Sequence, residues 1–447
     1  MPLGMSERFM GHTPGKSQDA ATDRGDTIPS AVRRGEPTLW LNPSVAPAAQ
    51  ALADLSIGQD DLGSAITDWK NFAPLLAELF PELEQSGGRI ASNLLALSPE
   101  QSAEVTGPDG QDVPVVIKCD HLLPVAGSIK ARGGFYEVLV LARALARKAG
   151  MDTSDSRVLA SPEARALFAN HKVMTGSTGN LGYAVGLIGR AMGFAAEVHM
   201  SVDARQWKKE RLAAIGATVV AHPGDYARAV DNARRIAAAD PQCYFVDDED
   251  SKVLFLGYAA AAAEFAEQLA ALPIHPTPEA PLVVHLPCGV GGAPGGIAFG
   301  LKHFLGDAVL PVFVEPVAAP CVLVQLASGR DQSTSVYDIG LTNRTEADGL
   351  AVPAASLLVC EQVGQLVHGV ATVRDAQMFH WVARMAAQPG LRLEVSAAAG
   401  FASVRPVASS LTVRPCAHVV WTTGGGMMDD AQFEDVLARA RAAAGSE

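Results

Sequence analysis

The feature that most limits the fold is the alternation of helical stretches with short apolar runs that end in glycine or a small polar residue. Val173-Met-Thr-Gly and Val283-Val-His-Leu-Pro are two such runs, and each precedes a glycine-rich turn and a helical pattern. This order predicts parallel strands joined by helices. In the clearest unit, a helix over about 181–192 lies between two strands, and a helix over 208–215 with a strand over 217–221 follows. We therefore predict an α/β fold.

Composition and charge exclude several classes of protein. Apolar residues make up 48% of the 447 residues, and the formal net charge is −13. Such a surface repels nucleic acid and anionic membranes. The first 24 residues contain no signal-peptide core, no later run reaches the roughly eighteen apolar residues of a membrane span, and we interpret 253–263 as a buried helix. We expect a cytoplasmic protein with no nucleic-acid or membrane partner.

The six cysteines and eleven histidines do not indicate a metal site. No two cysteines have the close spacing of a zinc knuckle or a redox motif, and the histidines do not cluster. A chain of this length also has no need of a disulfide scaffold.

A lysine among small residues is the first candidate for chemistry. Residues 124–134 read Pro-Val-Ala-Gly-Ser-Ile-Lys-Ala-Arg-Gly-Gly, which places Lys130 where a loop becomes a helix. Glycines and Ser128 let the backbone approach whatever Lys130 touches. A lysine near cationic and apolar groups can lose its proton and attack an aldehyde. By itself, the motif fits a surface lysine at a helix cap equally well.

Two glycine-rich turns each follow a predicted strand and precede a predicted helix. Residues 176–182 read Gly-Ser-Thr-Gly-Asn-Leu-Gly, and amides at a helix start attract an anion such as a carboxylate. Residues 287–296 read Pro-Cys-Gly-Val-Gly-Gly-Ala-Pro-Gly-Gly, before a helix expected to begin near Ile297. The density of glycine in this second turn indicates a phosphate held by consecutive amides. The first turn also fits an ordinary strand-to-helix connection.

A fourth motif lies near the C-terminus, where residues 420–427 read Val-Trp-Thr-Thr-Gly-Gly-Gly-Met. A threonine hydroxyl here can meet a heterocyclic nitrogen, although a strand end that leads into a loop explains the pattern as well. Other phosphate motifs do not fit. No Gly-Lys-Ser/Thr follows the 287–296 turn, and Pro294 stands where the dinucleotide motif needs its third glycine.

Taken together and in this order, the four motifs resemble those of the fold-type II pyridoxal-phosphate enzymes, most closely the bacterial D-serine dehydratase family. The resemblance runs from about Trp40 to Met428. It implies a tryptophan synthase β-like fold with two lobes, each a mostly parallel sheet flanked by helices. It also implies a large cofactor-binding lobe over 36–130 and 261–447 and a small inserted lobe over 131–260. Residues 1–35, which lack hydrophobic periodicity, predict an arm without packed structure of its own.

The resemblance implies a role for each motif. Lys130 holds pyridoxal 5′-phosphate as a Schiff base, Asn180 contacts its 3′ oxygen, and Thr423 faces the pyridine nitrogen. A neutral hydroxyl does not enforce protonation of that nitrogen, so elimination is favoured over transamination. The remaining assignments are the phosphate loop, formed by Gly289, Val290, Gly291, Gly292 and Ala293, and the substrate-binding residues Ser177, Thr178 and Ser128.

The expected reaction is a β-elimination in which D-serine loses its α proton and β hydroxyl and gives pyruvate and ammonia. In a D substrate the α hydrogen can point away from Lys130, so a second base is needed, and Asp247 and Asp248 are the candidates. A solvated acidic surface is the commoner meaning of such residues. The resemblance also implies activation by a monovalent cation such as potassium, and a monomer.

The sequence departs from the family beside the lysine. The family has Asp-Ser-His-Leu-Pro followed by Ile-Ser-Gly-Ser, whereas residues 120–128 read Asp-His-Leu-Leu-Pro-Val-Ala-Gly-Ser, with His121, Leu122 and Ala126 as the differences. A hydroxyl is missing, and this leaves open a related enzyme acting on D-threonine or another β-substituted amino acid. From a different class, a non-catalytic amino-acid-binding protein is the rival, and the intact Lys130 counts against it.

Overall fold

The computed structural model describes residues 27–110, 112–224, 226–388 and 391–444. Across these residues the strands form two sheets. The strands are β1 Thr38–Leu41, β2 Leu94–Ala96, β3 Val115–Cys119, β4 Lys172–Gly176, β5 Ala195–Ser201, β6 Thr218–His222, β7 Cys243–Val246, β8 Leu282–Pro287, β9 Val309–Pro316, β10 Gly369–Val373 and β11 Ala417–Thr422.

Helices cover both sheets. They are α1 Ser30–Arg33, α2 Ala48–Ala53, α3 Gln59–Leu79, α4 Pro99–Thr106, α5 Lys130–Lys148, α6 Pro162–Phe168, α7 Asn180–Met192, α8 Gln206–Ala214, α9 Tyr226–Ala238, α10 Lys252–Ala259, α11 Ala261–Ala270, α12 Gly292–Leu305, α13 Cys321–Ser328, α14 Leu357–Val363, α15 Asp375–Met385, α16 Ala399–Ala408 and α17 Asp430–Ala444.

The larger sheet has the strand order β1-β10-β9-β8-β11-β3-β2. Its two edge strands run antiparallel to their neighbours, and all the others are parallel. Strands β8 and β11 are buried along their whole length. They are nearly continuous apolar runs because helices cover both faces of the sheet. The carboxyl ends of β3, β8 and β11 lead into the lysine, glycine-rich and threonine motifs.

The smaller sheet is entirely parallel, with the order β6-β5-β4-β7. Its strands span residues 172–246 and are inserted in the chain between β3 and β8. The predicted strand, helix and strand over 173–200 correspond to β4, α7 and β5, and the next pair corresponds to α8 and β6. The predicted α/β fold with two mostly parallel sheets is confirmed, while the lobe bounds of 131–260 stay a prediction.

The N-terminal part of the described chain is packed. Residues 1–26 of the predicted arm lie outside the described residues, but residues 27–35 include α1. Its Val32 is buried in the main core. The packed chain therefore begins before residue 36, because the Val32 side chain is buried in the main hydrophobic core.

The helical stretch Lys252–Ala270, which comprises α10 and α11, has enough length and apolar character to cross a membrane. By length and composition alone this is weak support for a span, and 56% of the stretch is buried inside the molecule. The apolar run predicted as a buried helix over 253–263 lies within it.

Helix α12 begins at Gly292 and not, as predicted, near Ile297. Gly291 caps it with a φ of +111°, a backbone conformation that glycine adopts without strain. Within the helix, a Cβ at Gly296 would lie 2.5 Å from the Phe255 carbonyl oxygen of α10. Part of the glycine density therefore serves the close packing of α12 on α10.

Candidate active site

A cavity brings most of the predicted site residues together at the carboxyl ends of the strands, between the two sheets. This is where ligands bind in parallel α/β folds. Among the predicted residues that line it are Lys130, Ser177, Thr178, Asn180, Asp248, the loop 289–293 and Thr423. Ser128 and Asp247 do not line this cavity.

Lys130 is the first residue of α5. Its Nζ lies 3.1 Å from Asp248 Oδ2 and 5.6 Å from the centre of the Tyr258 ring. The preceding loop is held to the threonine motif, since the Ile129 amide donates to the Thr423 carbonyl oxygen at 2.8 Å. Two distant parts of the sequence thus fix the position of the amine.

A buried charge network supports the start of α5. Arg132 donates to both carboxylate oxygens of Asp120, at 2.7 and 2.8 Å, and to Glu264 at 3.0 Å. The Trp421 indole N–H donates to Asp120 at 2.8 Å, and Lys118 pairs with Glu264. Despite burial, Arg132 and Lys118 hold the pKa of Asp120 below its usual value. With every charge paired, the network ties α5 to β3, β11 and α11.

The 176–182 turn uses its serine internally. Ser177 Oγ accepts hydrogen bonds from the amides of Gly179, at 3.0 Å, and Gly182, at 2.9 Å. Both its oxygen and the Gly179 amide therefore already have partners in the turn at the start of α7. Thr178 and the first turn of α7 face the cavity. The remaining amides at this helix start stay available for a carboxylate.

Asn180 lies beside a buried acid that the sequence analysis did not assign. Its Nδ2 donates to Glu394 Oε1 at 2.7 Å, and Lys208 Nζ lies 3.8 Å from Glu394 Oε2. Burial raises the pKa of Glu394, and the positive charge of Lys208 opposes that rise. Glu394 stands just before a helical stretch, and this position was the signal that could have identified it.

The turn at the start of α12 fits a phosphate group. Besides Gly291, Gly289 is needed there, since a Cβ on it would lie 3.0 Å from the Gly349 carbonyl oxygen. The first amides of α12 have no partner within their own helix and point, with the helix dipole, towards the cavity. An amine, a helix start and the Thr423 hydroxyl thus border one cavity, a donor set that suits an aldehyde-bearing phosphate cofactor.

Tyr226 is a second residue that the sequence analysis missed. It begins α9, is buried and lines the cavity. Burial and the nearby carboxylates Asp248 and Glu249 raise its pKa well above the usual value for tyrosine, so its hydroxyl stays protonated. No local pattern marks this tyrosine, because the fold alone brings it to the cavity that Lys130 lines.

The structure does not bring Asp247 and Ser128 to the cavity. Both carboxylate oxygens of Asp247 accept hydrogen bonds from Arg234, at 2.8 and 3.0 Å. This bidentate pair occupies the carboxylate in holding the turn. Ser128 Oγ is buried and has no hydrogen-bond partner among the described residues. Of the two aspartates predicted as bases, only Asp248 reaches Lys130.

The three positions that depart from the family pattern lie around the cavity, and none of them lines it. His121 is buried, and its Nδ1 lies 2.7 Å from the Thr422 hydroxyl oxygen. Leu122 is exposed, whereas Ala126 lines a neighbouring cavity that also borders Asn180 and Glu394. Each of these differences therefore lies outside the lining of the cavity that holds Lys130.

Comparison with known proteins assigns the family. The profile of the family described as "Pyridoxal-phosphate dependent enzyme" matches residues 101–422. A probable D-serine dehydratase of Rhizobium etli is 47% identical over 431 residues, which cover 92% of this chain and 95% of the relative. A probable D-serine dehydratase of Burkholderia thailandensis is 49% identical over 422 residues, covering 92% and 94%. The chain belongs to the D-serine dehydratase family. Pyridoxal phosphate is accordingly its cofactor.

Solved structures of more distant proteins share the fold. Holo diaminopropionate ammonia lyase from Escherichia coli superposes with a TM-score of 0.68 and 18% identity, covering 91% of this chain and 97% of that chain. Threonine deaminase isoform 2 from Solanum lycopersicum gives a TM-score of 0.65 at 18% identity, covering 97% and 100%. These likenesses show that the chain has the α/β fold of the fold-type II pyridoxal-phosphate enzymes.

Proposed function

We propose that this chain is a D-serine ammonia-lyase that converts D-serine to pyruvate and ammonia. The observation that carries the proposal is the identity of 46–49% over most of the chain with several relatives named probable D-serine dehydratase. The cavity supports it, because an amine, an anion-binding helix start and an acid surround one space.

Each side chain has a defined task in the proposed site. The first turn of α12 would hold the cofactor phosphate, Lys130 would hold its aldehyde carbon, and the neutral Thr423 hydroxyl would face its ring nitrogen. When bound, this cofactor would supply an electron sink that makes the α proton of the substrate acidic. Thr178 and the amides at the start of α7 hold the substrate carboxylate and so orient the α carbon.

Asp248 and Lys130 handle the proton. Their side chains are 3.1 Å apart, so a proton can pass between the Asp248 carboxylate and the Lys130 amine. In a D substrate the α hydrogen can point away from Lys130, so a second base is needed. We assign removal of the proton to Asp248 and its delivery to the leaving hydroxyl to Lys130.

The test is pyruvate release from D-serine by the purified, cofactor-loaded protein in potassium buffer, with L-serine and D-threonine in parallel. Release from D-serine alone is the expected result. Lys130→Ala should lower the rate by about a thousandfold or more, because it removes the nucleophile. Lys209→Ala is the control, since this lysine donates to the Val202 carbonyl oxygen within its own lobe and does not line the cavity. Faster release from D-threonine would overturn the named substrate, and no release at all would favour an amino-acid-binding role.

Two further parts of the proposal concern the cation and the oligomeric state. We propose activation by potassium and a monomeric protein. Replacing potassium by a bulky organic cation in the same assay should lower the rate. Light scattering of the purified chain should give the mass of one copy, and a dimer would contradict this part alone.

A further inference from the structure

A buried acid lies behind the Lys130–Asp248 pair and has no role in the reaction as described above. Glu137 is on α5, seven residues after Lys130, and two helical turns place both on the same side of the helix. It is 1% exposed. Burying a carboxyl group costs free energy unless it has hydrogen-bond partners, so we examine the groups that contact Glu137.

The partners of Glu137 flank the turn that carries Asp248. The Tyr244 hydroxyl, on β7 before the turn, donates to Glu137 Oε1 at 2.9 Å. The Ser251 hydroxyl, after the turn, also lies close enough to lower the pKa of Glu137. Ser251 Oγ at the same time caps α10 by accepting from the Leu254 amide at 3.0 Å. Glu137 therefore touches the chain on both sides of Asp248.

Tyr258 fills the space between Lys130 and Glu137. Its ring lies directly on Gly133, where a Cβ would be 2.5 Å from Tyr258 Cζ. Three buried polar atoms along this face have no hydrogen-bond partner among the described residues, namely Glu137 Oε2, Tyr258 Oη and Asp248 Oδ1. A neutral Glu137 can donate one hydrogen bond to these atoms. An ionised Glu137 could only accept, and this cluster already contains more acceptor oxygens than donors.

The charges around Glu137 favour its neutral form. The titratable groups that face it are Tyr244 on β7, Asp247 and Asp248 in the turn, and Tyr258 on α10. Burial, and then the two aspartates, raise the pKa of Glu137 to about 8, although Tyr244 and Ser251 oppose the rise. Glu137 is thus protonated at neutral pH, and it loses this proton only in alkaline solution.

We propose that Glu137 is a positioning residue that, as a neutral acid, holds the turn so that the Asp248 carboxylate stays against the Lys130 amine. Ionisation of Glu137 adds a further negative charge beside the carboxylates of Asp247 and Asp248 and pushes the turn away from α5. The inference rests on the proposed function for its effect on rate, while its effect on the surroundings of Lys130 does not depend on which substrate is used.

The experiment follows kcat for D-serine and the absorption of the bound cofactor between about pH 6 and pH 10 in the full-length, cofactor-loaded protein. The wild type should lose rate and change absorption with a midpoint near the pKa of Glu137, about 8. Glu137→Gln keeps a neutral group of the same shape, so it should keep kcat within about threefold at neutral pH and lack this alkaline change. Glu137→Leu and Tyr244→Phe should lower kcat at every pH, by about tenfold for Leu.

Glu315→Gln is the matched control, because burial also raises the pKa of Glu315 to about 8 while its partners belong to α13. It should leave the alkaline change of kcat and absorption in place. An unchanged alkaline midpoint in Glu137→Gln, or wild-type behaviour of Glu137→Leu, would overturn the inference. The wild type could instead show no D-serine turnover while its absorption still changes near this pH. That result would refute D-serine as the substrate and would still support the role of Glu137.

Discussion

Asp247 and Asp248 are neighbours in the sequence, yet their carboxylates have different tasks. The Asp248 carboxylate contacts the Lys130 amine in the cavity, whereas the Asp247 carboxylate accepts hydrogen bonds from Nε and Nη2 of Arg234. The Asp247 carboxylate also accepts from the Glu249 amide at 3.1 Å, so it shapes the turn itself. Of these two adjacent residues, Asp248 can exchange a proton with Lys130, and Asp247 fixes the backbone of the turn.

Substitution of each aspartate by asparagine tests this division. Asp248→Asn should lower kcat for D-serine by about a hundredfold or more while the cofactor stays attached, because a proton acceptor is lost. Asp247→Asn should keep kcat within about threefold and lower the unfolding free energy by roughly 1–3 kcal/mol, because the charged pair with Arg234 is lost. Steady-state kinetics and urea unfolding separate the two effects, and equal losses of kcat would contradict the division.

At the scale of the elements, α12 depends on the absence of side chains where it packs on α10. A Cβ at Gly296 would lie 2.5 Å from the Phe255 carbonyl oxygen and 2.8 Å from Tyr258 Cβ. Gly296→Ala should therefore force the helices apart and lower the unfolding free energy by about 1–3 kcal/mol. Because α12 begins in the phosphate turn, cofactor affinity should fall with it in a fluorescence titration.

Gly63 in α3 is the matched control for this substitution. It is also a helical glycine, but nothing lies within 4 Å of the position of its Cβ. Gly63→Ala should stabilise the protein by about 0.5–1 kcal/mol, since alanine favours the helix. Destabilisation by both substitutions would show that the helical glycines matter for a reason other than packing.

Glu315 connects the end of β9 to the start of α13. Its two carboxylate oxygens accept from the Val322 amide at 2.8 Å and the Leu323 amide at 2.9 Å. Burial nevertheless raises its pKa from 4.5 to about 8. The folded protein then binds a proton more tightly than the unfolded chain, so this group's stabilisation is complete below about pH 4.5 and is lost as pH rises towards 8.

Glu315→Gln should remove that dependence, because an amide does not ionise. In acid the variant should be less stable than the wild type by about 1–3 kcal/mol, because the Gln NH2 group cannot accept from one of the two backbone amides, and this deficit should shrink as pH rises. Guanidinium unfolding at a series of pH values measures the difference. A constant difference at all pH values would show that Glu315 is ionised throughout.

At the scale of the whole molecule, helix α8 of the small lobe meets the large lobe through charges. Arg205 Nη2 lies 3.1 Å from Glu346, and Lys208 Nζ lies 2.9 Å from Asp348 and 3.8 Å from Glu394. Glu394 lines the candidate active-site cavity and also two further cavities, one bordered by Ala126 and the other by Arg205. The position of the lobes is therefore coupled to the charge of an acid beside Asn180.

Lys208→Met should weaken this contact. Because it leaves the buried Glu394 carboxylate without its cation and leaves Asp348 with Arg205 alone, the unfolding free energy should fall by roughly 3 kcal/mol. We also expect KM for D-serine to rise by about tenfold with a smaller change in kcat, since the cleft closes less well around the substrate. Lys209→Met is the control, because its ammonium donates to the Val202 carbonyl oxygen in the same lobe. Equal effects of the two substitutions would refute a contribution from the lobe contact.

The sequence by itself determined the fold class and the cofactor, and it predicted Lys130 as the reactive lysine. Alternating strands and helices, glycine-rich turns and a lysine at a helix start are local features of the chain. In a parallel sheet, motifs that follow adjacent strands must meet at the same edge. The position of Lys130, Thr423 and the 289–293 turn around one cavity could therefore be predicted without coordinates.

Only the tertiary structure decided which side chains complete the site. Glu394, Lys208 and Tyr226 come from distant segments, and the direction of their side chains depends on packing rather than on a local pattern. The same holds for Ser177, whose oxygen serves the turn, and for the start of α12 within the glycine run. These positions depend on hydrogen bonds and helix contacts between residues that are far apart in the chain. The spacing of residues along the sequence therefore could not predict them.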